Sequence, residues 1–399
     1  MPSIPRRWIV LLCLFLGRTA LGVQFQSLVS VGEQVAGALS LSYTQLGSLI
    51  GFMFLPGMVL AFPTGWLARW MSDRAAVSLG LAFVAGGGAV ASLAGDFDGI
   101  AAGRMLTGVG FVICSLYFTK MVADWFAGRE IAAAMGILAM SWPAGIALSQ
   151  MTHGWVGEAF GWQVAIGSAT VYGVAATLLV WLTYRSPYGE SHGRAVRGQM
   201  RLTRREWWLT GWAALAWAGF NAAYAVYLSF SAQVLMVRGM DAVAATAKVG
   251  IASLLMIVSL PLGGIVADRT GRPDTVFYGG MAAAIGGLLA LPVAGWTLAA
   301  VVAFGLIGMA PAGVIMSLTG QAMAPERRAF GMAVFYSAMY PITALAPSLG
   351  GWLYDLTGKV EAALAVGIGL FALTVMSYAA FRLMQRRQAR AEAREAALG

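Results

Sequence analysis

The chain has 399 residues, of which 59% are apolar, only 11% are charged and 51 are glycine. Soluble domains carry roughly 25% charged residues and about 7% glycine, so this composition excludes an ordinary soluble enzyme, a collagenous chain and a disordered one. It fits a polytopic helical membrane protein, in which a span and its connection take about 30 residues.

Arg6 and Arg7 precede the apolar run 8–17, which has the character of a signal peptide with a small-residue cleavage site near Gly22. Apolar sequence resumes beyond Arg18 and reaches Ser30, long enough to span, so the segment is expected to be kept as the first helix. Further apolar spans fall at 44–62, 77–93, 100–122, 131–151 and 164–184, and a second group at 207–228, 244–267, 276–294, 298–319, 332–353 and 362–381. The expected organisation is an N-terminal six-helix half over 1–184, a linker over 185–206, a C-terminal six-helix half over 207–384 and a tail over 385–399. Pro56, Pro63 and Pro143 fall within or beside spans and read as kinks. Cys13 and Cys114 lie in apolar runs and read as packing residues.

With the N-terminus inside, 21 of the 26 basic residues fall on the inner side, two in outer loops and three, Arg18, Arg104 and Lys248, within spans. This asymmetry follows the positive-inside rule and accounts for the net charge of +9 without nucleic acid. Both termini are therefore expected in the cytoplasm, in a bacterial plasma (inner) membrane.

Internal repetition supports the two halves. Gly154-Trp155-Val156-Gly157-Glu158 after the fifth span is echoed by Gly351-Trp352-Leu353-Tyr354-Asp355 after the eleventh, at an offset of 197 residues. Gly65-Trp66-Leu67-Ala68-Arg69 after the second is echoed by Gly264-Ile265-Val266-Ala267-Asp268 after the eighth, at an offset of 199.

The loop from Gly264 through Asp268, Arg269 and Gly271 to Arg272 resembles the glycine-to-Asp-Arg signature of the major facilitator superfamily of secondary transporters. In the first half the signature is degraded: Gly65 is present, but Arg69 stands for the usual Asp and Asp73 for a basic residue. The pattern Arg104-x-x-x-Gly108-x-Gly110 and the loop from Trp125 to Glu130 are also similar to the family's. The resemblance implies an all-α fold of 12 transmembrane helices in two pseudo-symmetric halves. It implies alternating access, with Gly65, Gly264, Asp268, Arg269 and Arg272 at an inner gate and Arg104 in coupling or bracing. Topogenic charge at a helix end is the plainer account of the gate residues, and for Asp73 the preferred one.

None of the 17 acidic residues lies deep in a span. Arg18 does, near the middle of a ~30 Å core, where a charge costs roughly 2.5–3.5 kcal/mol on the insertion scale and must face the bundle interior or a watery cavity. Without a carboxylate at that depth, Arg18 is expected to bind a small anionic substrate, its alternative being a structural role among carbonyls and hydroxyls. Arg104 and Lys120 lie nearer helix ends, where snorkelling competes with function, and Lys248 is placed to draw anions or reach headgroups. Asn221 and Tyr224, three apart, share a helix face, as do Tyr336 and Tyr340, four apart. These four and Gln24 are the further substrate-binding candidates; Gln24 and Gln26 cannot both share the face of Arg18.

The two histidines, His153 and His192, have no partner at metal spacing, and no phosphate-cradling Gly-Lys-Ser/Thr loop is present. The chain is read as no enzyme and as needing no cofactor. Its expected partners are a small anion, the lipid bilayer and a coupling ion, with the protein monomeric. Proton-coupled drug efflux is the alternative within transport. A non-transporting sensor or lipid-handling protein is the alternative of another class.

Overall fold

The computed structural model describes residues 6–61, 63–64, 70–126, 130–187, 201–324 and 327–396. They form α1 (Arg6–Ser30), α2 (Gly32–Leu39), α3 (Tyr43–Gly51), α4 (Leu55–Leu60), α5 (Asp73–Leu93), α6 (Phe97–Phe126), α7 (Ile131–Phe160) and α8 (Trp162–Thr183), then α9 (Arg204–Val237), α10 (Ala242–Thr270), α11 (Pro273–Ala290), α12 (Thr297–Val302), α13 (Ala312–Ala322), α14 (Arg328–Thr357) and α15 (Val360–Ala396). Counting α3 with α4 and α12 with α13, ten stretches among the described residues are long and apolar enough to cross a membrane. α7 and α11 take the fifth and ninth places of the repeat and complete the twelve.

Helix ends follow local chemistry. Ser42 with Gln45 and Thr203 with Glu206 form capping boxes at the starts of α3 and α9. Asp241 caps α10 through the N–H groups of Val243 and Ala244. Gly271 and Gly358, at φ +62° and +67°, end α10 and α14 in the left-handed conformation that glycine adopts without strain.

Two spans are broken where the sequence reading drew one helix. In the second, the Phe54 N–H turns back to Gly51, 2.8 Å, just before Pro56. In the tenth, a π-helical turn over Ala303–Gly308 and a tight turn before α13 interrupt the helix near its middle. Both breaks are packed against glycine or alanine backbone. A Cβ on Gly108 would lie 2.3 Å from the Met53 carbonyl, and one on Gly305 would lie 2.5 Å from Ala252.

The two halves meet through α3 and α4 against α14, and α7 against α10. Two faces follow: the terminal face, where α1 begins and α15 ends, and the opposite face. Contact between halves runs from the opposite face down to Gly57, whose Cβ position lies 2.5 Å from the Tyr340 ring. At the terminal face the ion pairs among the described residues stay within one half: Arg7 with Glu130, Lys120 with Asp73 and Asp124, Arg327 with Glu206, and Arg382 with Asp274. The molecule is therefore closed at the opposite face.

Candidate functional site at the centre of the bundle

Arg18 lies halfway along α1 and is only partly buried. Its Nη1 donates to the Leu138 carbonyl, 2.7 Å, and to the Ser141 hydroxyl, 3.0 Å, both on α7. Its Nε is buried without a hydrogen-bond partner. Among the described residues no carboxylate pairs with it; its electrostatic neighbours are Tyr336 of α14, from the other half, and Cys114 of α6. The guanidinium is thus oriented along one edge, while the Nε–Nη2 edge, which suits bidentate grip on a carboxylate, makes no hydrogen bond to the described residues.

Asn221 sits midway along α9, part-exposed, its amide nitrogen donating to the Trp217 carbonyl at 2.8 Å. Tyr224 is buried, stacked at 6.4 Å from Phe304 of the π turn, with its hydroxyl 3.4 Å from Ser253. The rings of Tyr336 and Tyr340 lie 6.3 Å apart, tilted by 32°, and Tyr340 covers Gly57. The two residues of each pair share a helix side, as their spacing predicts, but Tyr224 and Tyr340 are enclosed by packing and only Asn221 and Tyr336 are part-exposed.

Gln24 is turned away from this centre. Its amide lies against Gly88 of α5, beside Thr170 of α8, inside the first half, in space that a side chain at Gly88 would fill. Of the pair, Gln26 lines space between the halves.

Arg104 does not snorkel. It is fully buried, and its Nε, Nη1 and Nη2 donate to the carbonyls of Leu49 (3.1 Å), Gln24 (3.0 Å) and Ile50 (3.3 Å). The Ile50 carbonyl is available because Phe54 bonds Gly51 instead, so the guanidinium satisfies main-chain oxygens that the break in the second span releases. Gly108, one turn on, lets α6 approach that break at Met53, and Gly110 packs its backbone on Gly80, 2.2 Å from a Cβ to the carbonyl oxygen. The Arg104-x-x-x-Gly108-x-Gly110 pattern therefore clasps α1, α3 and α5 to α6.

Among the described gate residues, Gly264 has no atom within 4 Å of its Cβ position, and its neighbour Gly263 is the one packed on a backbone, 2.0 Å from the Ala310 carbonyl. Asp268 and Arg269 are exposed on the last turn of α10 and Arg272 lies just beyond its end; among the described residues Asp268 makes no ion pair. Gly65, Arg69 and His192 lie outside the described residues. Lys120, expected to snorkel, is held by Asp73 and Asp124.

The opposite face carries groups the sequence reading passed over. Asp355 of α14 accepts from the N–H groups of Tyr43 (2.9 Å) and Thr44 (2.8 Å) and from the Thr44 hydroxyl, 2.5 Å, so the second half caps a helix of the first. Tyr43 stacks on Tyr354 at 4.0 Å, and Ser48 meets Ser348 at 3.0 Å. On the other seam Ser253 of α10 donates to Gln150 of α7 at 2.7 Å. The signal for Asp355 was in the repeat, which places an acid at the same register in both halves, Glu158 and Asp355.

No curated protein sequence matches the chain. Solved structures do match in fold. A bacterial homologue of the human lysosomal transporter Spinster, inward-facing and unoccupied, is 18% identical with a TM-score of 0.74, covering 96% of this chain and 98% of that one. The inward-open xylose transporter XylE from E. coli is 12% identical with a TM-score of 0.73, covering 92% of this chain and 95% of that one. The nucleoside transporter NupG, in a mutant form, is 13% identical with a TM-score of 0.73, covering 94% of this chain and 99% of that one. The family model of the Major Facilitator Superfamily matches residues 7–339, and the chain, a multi-pass membrane transporter and not an enzyme, belongs to that superfamily.

Proposed function

We propose that this secondary transporter carries a small organic anion by alternating access, with Arg18 as the anion-binding residue. The observation that supports the reading is the half-used guanidinium: one nitrogen is anchored on α7, and a buried Nε has no partner. A substrate carboxylate would supply the countercharge, and in a partly dehydrated site two parallel charge-assisted hydrogen bonds exceed their value in water. Asn221 and Tyr336, part-exposed and contributed by the second half, would tune selectivity. Asp268, Arg269 and Arg272 would meet partners when the terminal face closes, and a coupling ion would set the direction of transport.

In this reading the terminal face is cytoplasmic, and the chain divides at 1–184, 185–206, 207–384 and 385–399. The protein works as a monomer in a bacterial plasma membrane. Cysteines introduced at Ser191 and Asp96 are expected to label only from inside and only from outside, and the reverse pattern overturns the orientation.

The binding test is a thermal-stability screen of the purified protein against carboxylates and inorganic anions, followed by uptake into liposomes. Arg18→Gln is expected to lose at least about tenfold in anion affinity while remaining folded, the equivalent of one charge-assisted contact; Arg18→Lys keeps charge but not geometry and falls between. Near-normal anion affinity in Arg18→Gln overturns the reading. Stabilisation by organic cations or neutral compounds, with none by any anion, also overturns it and favours efflux.

A further inference from the structure

A second polar space lies between the halves at the opposite face, away from Arg18. Its walls come from the end of α1, from α2, and from α7, α9 and α10, and its volume is about 40 Å³. That is room for about three water molecules, far below the ~300 Å³ of pockets that take organic ligands. Among the described residues no lysine, arginine or histidine lines it.

The walls are rich in electron-pair donors that lack partners. Gln26 and Gln233 are 1% and 5% exposed, and the side-chain oxygen of each is buried without a hydrogen bond. The Gln26 amide nitrogen donates to the Ser30 hydroxyl at 3.4 Å. Glu33 of α2 is half-buried in the same wall, with only a 3.4 Å hydrogen bond from the Tyr43 hydroxyl and, among the described residues, no basic partner. Burial pushes its carboxyl above the usual carboxylate range, the Tyr43 bond partly offsetting it. The polar groups that share the chamber wall with Glu33 are the amides of Gln26, Gln34, Gln150 and Gln233 and the hydroxyls of Ser30, Ser229 and Thr246, and the Tyr43 hydroxyl bonds it. Two buried amide oxygens without donors, beside a half-buried carboxylate without a basic partner among the described residues, cost free energy unless water or a cation fills the space.

We propose that this chamber binds a small monovalent cation, an alkali ion or ammonium, ligated by Glu33, Gln26 and Gln233. The first two come from one half and Gln233 from the other, so the cation ties the halves together and favours the state closed at the opposite face. The chamber is separate from Arg18, and a cation bound there does not depend on what Arg18 binds.

The test uses the full-length purified protein at fixed neutral pH and ionic strength, with N-methylglucamine chloride replaced stepwise by sodium, potassium or ammonium chloride. At least one of the three is expected to give a saturable rise in melting temperature of about 2 °C or more. Glu33→Gln is expected to raise the half-saturating concentration at least about tenfold, the loss of one charge-assisted contact, and Gln233→Met to raise it by a smaller factor. Glu361→Gln, at the same face but paired with Arg238 at 3.1 Å, leaves the titration unchanged. Differences among the three cations separate an alkali-ion site from an ammonium site. Equal melting temperatures in every salt overturn the proposal, as do wild-type titrations in both Glu33→Gln and Gln233→Met. Stability that follows pH and ignores all three cations also overturns it and leaves Glu33 a proton site. Should Glu33→Gln fail to fold, Gln233→Met decides.

Discussion

The two seams that close the opposite face occupy equivalent places in the repeat, yet they are held by different chemistry. Where α14 meets α3, the helix start is capped in trans by Asp355 of the other half. Where α7 meets α10, the helix start is capped in cis by its own Asp241, and the seam is joined by the neutral Ser253–Gln150 bond. The repeat kept an acid on both sides, but Glu158, the counterpart of Asp355, is exposed and no longer has a helix start to serve. One seam thus depends on a charge at the rim and the other on a buried hydroxyl. Burial, rather than charge, decides which bond matters more: a buried acceptor stripped of its donor costs about 1–3 kcal/mol, whereas an exposed cap is worth about 1 kcal/mol.

The largest break in this comparison is steric. A Cβ on Gly51 would lie 1.9 Å from the Ala344 carbonyl, so Gly51→Ala is expected to keep the α3–α14 seam from closing. Ser48 and Ser348 replaced together by cysteine, their hydroxyls now 3.0 Å apart, measure this by crosslinking yield. Gly264→Ala, with nothing within 4 Å, should leave the yield unchanged in the same assay.

Next in size is Ser253→Ala, which strands the Gln150 oxygen and is expected to cost about 1–3 kcal/mol of stability in thermal unfolding. Asp355→Asn should follow at about 1 kcal/mol, with reduced crosslinking between Ser48→Cys and Ser348→Cys. A larger effect from Asp355→Asn than from Ser253→Ala would invert the ranking by burial. The smallest is Glu158→Gln, expected within about 0.5 kcal/mol of wild type; a loss matching that of Asp355→Asn would mean the seams are alike after all.

Much of the architecture was legible in the sequence. Hydropathy marked the spans, and two landmarks at nearly equal offsets marked the halves, because both signals are written in residue type alone. The helix breaks were less legible. Pro56 warned of the first, but the π turn over Ala303–Gly308 has no proline within it and rests on close contact with Ala252 and Ala284 from other helices. Facing was harder still. α1 is apolar on nearly all sides, so nothing in its pattern says that Gln24 enters the first half while Gln26 looks across to the second. Arg104 was recognised by its motif, but its role as a carbonyl clasp depends on which oxygens the α3 break releases.

The glycines of the α3–α14 seam have one more consequence, and it is kinetic. Gly47, Gly51 and Gly351 place backbone against the main chain of Pro347, Ala344 and Tyr43, with no long side chain interleaved between them. Interlocked leucines or methionines would have to change rotamers to part, and each would give up about 0.5–2 kcal/mol of conformational entropy on re-engaging. Where backbone meets backbone there are few such rotors to freeze, and the side-chain contacts of this seam, the Tyr43–Tyr354 stack, the Ser48–Ser348 pair and the Asp355 cap, are few. Its halves can separate and rejoin as rigid bodies, so the rate of switching is set by the motion of whole helices through lipid and water, and viscosity should slow it more than cooling of side-chain motion does.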